Sequence, residues 1–231
     1  MKKENIFQNL LLKIILPVIF VIIGLAYYNI EESTKEIQES YNVVNKLFAD
    51  EIHTFIEFQD KSLSIIESNL DEDIKAFSHE LINQNFTNTD SIESYDLKKL
   101  LSNYKITQTE IDIYILDRKG RIVNTTYKKD IGKNVNDFDE NTRDLINRVF
   151  INKSYEKGEF VPEHATNTLR KYTYHCTLDG KYIIELGVKS LKANQVIEQV
   201  EFKLNHLTQR ANTAILQIDL FIGNTNKPLS F

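Results

Sequence analysis

A chain of 231 residues, 42% hydrophobic and 26% charged, has the make-up of one or two modest globular domains, which excludes a disordered or fibrous protein. The formal net charge of −5 excludes the clustered positive field that a nucleic-acid partner demands. Cys176 is the single cysteine, so no intrachain disulfide is possible, and the scattered His53, His79, His164, His175 and His206 give no zinc-type spacing; neither a metal nor a cofactor is expected.

The first element is apolar. From Leu10 to Tyr28 the run LLLKIILPVIFVIIGLAYY carries one charge, Lys13, at the end where a long side chain can snorkel to lipid headgroups. About 19 residues at about 1.5 Å each span roughly 28 Å, close to the hydrocarbon thickness of a bilayer. Lys2, Lys3 and Lys13 precede or open the run and Glu31 and Glu32 follow it. The positive-inside rule then puts residues 1–9 in the cytoplasm and everything after Ile30 outside the cell. The exit reads AYYNIEES, with no small-x-small cleavage site, so residues 10–30 are expected to stay as a transmembrane signal anchor in the cell membrane.

No Gly or Pro occurs between Leu25 and Lys119, and apolar residues recur at steps of three or four from Ile37, Tyr41, Val44, Phe48, Ile52 and Phe55 to Leu63, Ile66, Leu70, Ile74, Phe77 and Leu81. The spacing predicts one long amphipathic helix over residues 31–85, a stalk that pairs with a second copy as a homodimer. A shorter helix follows, with Ser91 or Asp90 as cap and Leu97, Leu100, Leu101 and Tyr104 as its apolar side.

Strands come next. Ile111, Ile113 and Ile115 alternate with Asp112 and Tyr114, Asp117 and Gly120 suit the ends of a type I turn with a following glycine, and Arg121 to Tyr127 return. A polar loop leads to a helix around Glu140 to Ile151. Strands at Glu159 to Val161 and Arg170 to Thr177, an Asp179-Gly180 turn and a strand from Tyr182 to Val188 complete the set. The expected fold class is α+β: a five-stranded antiparallel sheet backed by helices. Residues 191–213 return to helical spacing through Val196, Ile197, Val200, Leu204 and Leu207. Then Ile218-Asp219-Leu220-Phe221-Ile222 repeats the order of Ile111 to Ile115, so residues 214–231 read as the start of a second, truncated domain.

The signal anchor, the long helix, the hairpin "IDIYILDRKGRIVNTTYKKDIG" and the closing pair "YTYHCTLDGKYIIELGV" together resemble a Cache domain, the extracellular PAS-like sensor module of bacterial receptors. The resemblance covers residues 32 to 210, with residues 86–190 as the sensor, and the restart at Ile218 is similar to the membrane-proximal half of a double Cache protein. It implies a binding module that takes a small ligand against the sheet. The signal then passes along helices to a cytoplasmic effector outside this chain: a histidine kinase, a chemotaxis transducer or a diguanylate cyclase. The amino-acid-binding subgroup carries Arg-x-Trp-Tyr, whereas this chain has no Trp and the comparable stretch reads NTRDLINRVF, so an amino-acid ligand is not expected.

Within that pocket the candidate ligand-facing residues are Tyr127 and Asp130 at the exit of the first hairpin, Arg143 on the crossover helix, and Arg170, Tyr172 and Tyr174 on the strand before the second hairpin. An Arg among Tyr hydroxyls can hold a carboxylate by charge-assisted hydrogen bonds. The same residues have blander uses: Tyr172, Tyr174 and Cys176 share one strand face and suit a core, Arg143 can pair with a helix neighbour, and Asp130 can cap a turn.

No phosphate-binding glycine loop, G-x-S-x-G or H-E-x-x-H motif is present, and His175 and Cys176, adjacent on a strand, point to opposite faces. The chain reads as a non-enzyme. The rival to a sensor is a membrane-tethered helical scaffold that binds a protein partner without a small ligand.

Overall fold

The computed structural model describes residues 10–104, 106–138, 140–163 and 168–210. The chain falls into two units, Met1–Thr54 and Phe55–Phe231. The strand expected at Ile218 lies outside the described residues.

Helix α1 runs Leu11–Asn85 and enters both units. In the first unit its apolar residues face outward, including Phe20 at 68% and Tyr27 at 70% exposure. By length and composition this part is able to cross a membrane. Pro17, which has no N–H to donate, sits just after a widened turn in which Leu16 N bonds Leu11 O.

In the second unit α1 buries Leu63, Leu70, Ile74, Phe77 and Leu81 of the stripe that the periodicity predicts, with Ile66 half-buried, and buries Ile82 beside it. It closes on another widened turn, Phe86 N donating to Leu81 O at 2.9 Å. The helix expected after it is shorter and starts later. A single tight turn at Ile92–Ser94 precedes α2 (Leu97–Ser102), and the cap is Asp96, whose side chain accepts from Lys99 N. Asp96 wins over Ser91 and Asp90 because Tyr95 is extended, so helical geometry restarts only at Leu97.

The sheet has β1 (Thr109–Asp117), β2 (Ile122–Thr125), β3 (Tyr155–Pro162), β4 (Leu169–Cys176) and β5 (Tyr182–Ser190) in the antiparallel order β2-β1-β5-β4-β3. Helix α3 (Glu140–Asn152) crosses between β2 and β3, and α4 (Leu191–Arg210) follows β5. Both hairpin turns form as their residues dictate. Asp117 Oδ1 accepts from Lys119 N and Arg121 N, and Gly120 takes φ +74; Gly180 takes φ +73 after Asp179, whose Oδ1 accepts from Thr177 Oγ1 and Lys181 N.

Register assigns the faces. Ile113 pairs with Leu186 and Leu186 with Thr173, while Ile115 pairs with Ile184 and Ile184 with His175; these residues share the face on which α1 lies. Tyr114 pairs with Glu185, which pairs with Tyr174, and Leu116 with Ile183, which pairs with Cys176; this face packs against Ile146, Val149 and Phe150 of α3. Because both faces are covered, β5 is buried without alternation from Ile183 to Val188.

Candidate functional site

The α3 face holds an apolar floor at one end and a buried polar group of residues at the other. Alternation on β4 brings Arg170, Tyr172 and Tyr174 to this face and sends Lys171, Thr173 and His175 to the other. Across the register, Asp112 and Tyr114 come from β1, and Glu185 and Gly187 from β5.

Arg170, 9% exposed at its side chain, donates from one terminal nitrogen to Asp112 Oδ2 at 2.7 Å and pairs through Nε with Glu163 at 3.4 Å. The same terminal nitrogen reaches the Tyr114 hydroxyl at 3.5 Å. Asp112 is itself fixed by Thr126, whose hydroxyl donates to Oδ1 at 2.8 Å. Gly187 makes the close packing possible: a Cβ there would lie 3.2 Å from the Tyr114 and Tyr172 rings and 3.3 Å from the Arg170 guanidinium.

Glu185 is 6% exposed, and its Oε2 has no hydrogen-bond partner among the described residues. Burial pushes its carboxyl up to about 8, the charge of Asp130 adds to the rise, and Arg170 opposes it. Burial likewise raises the hydroxyls of Tyr114 and Tyr172. Burial lowers the Arg170 guanidinium, yet the bond to Asp112 and the charge of Glu163 outweigh that and raise it.

The residues expected from the sequence divide. Arg170, Tyr172 and Tyr174 come together here, and Tyr127 packs half-buried against the same core. Asp130 is near enough to act on Glu185 and Tyr172 by its charge and is paired with Lys133 at 2.6 Å. Arg143 stands apart: it lies on the exposed side of α3, paired with Glu140 at 3.0 Å. Asp112, Tyr114, Glu163, Glu185 and Gly187 were not among the expected residues. The alternation of β1 places Asp112 and Tyr114, but a Glu inside YIIELGV reads as a solvent-facing position unless the strand is known to be covered on both sides.

On the opposite face β4 is tied to α1. Lys171, 2% exposed, pairs with Asp71 at 3.0 Å and donates to Gly158 O at 2.6 Å; Lys157 also bonds Asp71. Burial works to raise the Asp71 carboxyl, but hydrogen bonds from Lys157 and Lys171 win and hold it low. His175 Nδ1 lies 2.9 Å from Ser78 Oγ, with the His79 ring 4.6 Å away edge-on. Burial, aided by His79, lowers His175 to about 4. Ser78 and His175, at 1% and 7% exposure, are shut inside the helix–sheet contact. His175 and Cys176 are on opposite faces, as expected.

Among the described residues, surface grooves lie elsewhere. One of about 360 Å³ is lined by Ser64, Glu67, Ser68, Asp71, Glu72 and Lys157; the other, about 450 Å³, runs from Leu101 and Tyr104 to Thr109 and Ile111. The Arg170 cluster is filled by its own side chains, and its claim as a site rests on buried, unmatched polarity instead of an open hollow. Compared with known proteins, the chain matches no family model and no curated sequence.

Proposed function

We propose that the chain is the membrane anchor and extracytoplasmic ligand-sensing region of a bacterial signalling receptor of the Cache, PAS-like type. Residues 10–30 anchor it with the N-terminus in the cytoplasm, residues 31–231 stand outside, and a small ligand enters the Arg170, Tyr172 and Glu185 cluster. The observation that carries this reading is the two-sidedness of β4. One set of its side chains builds the buried polar cluster, and the alternate set is bonded to α1 through Lys171–Asp71 and His175–Ser78. A ligand that moves Arg170 or Tyr172 moves the strand that grips α1, and the bias it exerts equals its differential affinity for the two packings. The signal then drives a cytoplasmic effector of histidine-kinase, chemotaxis-transducer or diguanylate-cyclase type.

Pairing with a second copy is favoured by charge placement on α1. Thr34, Tyr41 and Phe48 with Ile30, Ile37 and Val44 form an a/d seam in which Ile37 and Tyr41 are 56% and 58% exposed. Lys35, Glu36, Glu39, Lys46 and Asp50 all fall at the outer b, c and f positions, while the flanking Gln38, Ser40, Asn45 and Leu47 are uncharged. From Thr34 to Phe48 a parallel homodimer thus meets no like charge at its seam, which Glu31 at an e position and Glu51 at the next d position bound.

The same seam also suits a different protein partner, which is the scaffold reading. Thermal unfolding of the full chain in nanodiscs across a broad metabolite panel separates the two. A sensor shows a saturable rise in Tm with some member of the panel, and the rise is lost in Arg170→Ala. A scaffold shows none, and keeps its partner when residues 105–190 are deleted.

A further inference from the structure

The charges around the cluster do not balance. Arg170 already faces two carboxylates, Asp112 at 2.7 Å and Glu163 at 3.4 Å, so its charge is matched although its Nε makes no hydrogen bond among the described residues. Glu185 is left over, on the central strand of a sheet covered on both sides, with Oε2 unpartnered among the described residues. The groups facing it are Asp112 and Tyr114 from β1, Arg170, Tyr172 and Tyr174 from β4, and Tyr127 and Asp130 from the turn after β2. Asp130 already spends its charge partly on Lys133, which is exposed. Within this set three carboxyls and Glu163 meet Arg170 as the buried cation, Lys189 across from it on β5 being half-buried and paired with Glu110 at 3.9 Å, and the tyrosines present ring faces beside them.

Building on the sensing role above, we propose that the ligand recognised here presents a cationic nitrogen, a primary amine or small ammonium group, which Glu185 binds through Oε2 while Tyr114 and Tyr172 cover its apolar neighbours. Arg170 is then a positioning residue that holds Asp112 and β4. In the free protein Glu185 keeps its proton at neutral pH because burial and the charge of Asp130 outweigh the opposing charge of Arg170. Arrival of an ammonium group breaks the carboxyl O–H bond, the proton passes to solvent, and a carboxylate–ammonium pair remains. Half-buried Tyr172 swings aside to admit the ligand.

Isothermal titration of the full chain in nanodiscs tests this, with putrescine, phenethylamine and tyramine against succinate and phenylacetate, in buffers of differing ionisation enthalpy. The expected result is binding by an amine and by neither carboxylate, with close to one proton released per ligand at neutral pH. Affinity then rises roughly 50-fold from pH 6 to pH 8 as the proton becomes easier to remove. Glu185→Gln loses at least tenfold in affinity and all of the pH dependence while its Tm is not lowered, and Arg143→Ala binds as the wild type does. Binding of the carboxylates in preference, or amine binding that ignores Glu185→Gln, overturns the cation site but leaves sensing intact. No binding by either series, with Tm unmoved by the wider panel, overturns the sensing reading as well.

Discussion

Replacing Glu185 by Gln isolates one buried proton. The folded protein holds the Glu185 carboxyl at about 8, whereas an ordinary Glu in the unfolded chain titrates near 4.5. Between those values the native state carries a proton that the unfolded state has lost, so stability falls as pH rises, by about 1.4 kcal/mol per pH unit. Gln copies the shape of the protonated acid and never ionises, and at Oε2, which has no partner among the described residues, no bond is lost. Glu185→Gln is therefore expected to match wild type near pH 4.5 and to exceed it by about 3 kcal/mol at pH 7. The chain has 11 Tyr and no Trp, and all but Tyr27, Tyr28 and Tyr41 lie in the second unit, so tyrosine fluorescence reports urea unfolding of the sheet unit without a Trp signal over it. Equal stability of the two proteins from pH 5 to pH 8, or a less stable variant at pH 8, would refute the buried-acid assignment.

His175 works in the opposite direction. Its folded value of about 4 lies below the ordinary 6.5, so the unfolded chain takes up a proton that the folded one refuses. Stability is full above pH 6.5 and drops by roughly 2–3 kcal/mol as pH falls to 4, and His175→Gln flattens that slope in an acid titration. Lys171→Ala strips Asp71 and Gly158 O of a buried partner and should cost about 3 kcal/mol in urea unfolding; Lys171→Met, which keeps the volume, costs visibly less if packing matters as much as charge. Gly120→Ala forces a side chain onto φ +74 and places its Cβ 2.5 Å from Asn136 Nδ2, so a loss of about 1–3 kcal/mol and a lowered Tm are expected.

Much of the fold is written locally. The absence of helix breakers after Leu25 and the steps of Leu63, Leu70, Ile74, Phe77 and Leu81 produce α1, and Asp117 to Gly120 and Asp179-Gly180 produce the two turns. Strand β3 is longer than Glu159 to Val161 suggests, because Tyr155 to Lys157 pair with β4 despite polar side chains, beyond a shift of register at Lys157 and Phe160. The site was legible where a strand alternates. Arg170, Tyr172 and Tyr174 share a face by period alone. What period cannot supply is which face is covered: Lys171 and Arg170 are consecutive cations that both end buried, on opposite sides. Glu185 hides for the same reason, since only a strand enclosed on both faces has no outside for it. The one available signal was the unbroken run from Ile183 to Val188, in which a lone acid marks an enclosed position rather than an exposed one.

The central claim is that the sheet cluster and α1 are coupled, and disulfide trapping of a Tyr41→Cys chain in nanodiscs addresses it directly, Cys176 being buried and out of reach. With saturating ligand from the amine series, the account predicts a changed rate of cross-linking between copies in the wild-type site and no change in the Glu185→Gln background. A ligand that binds the cluster, as titration shows, yet leaves the cross-linking rate identical in both backgrounds would contradict it.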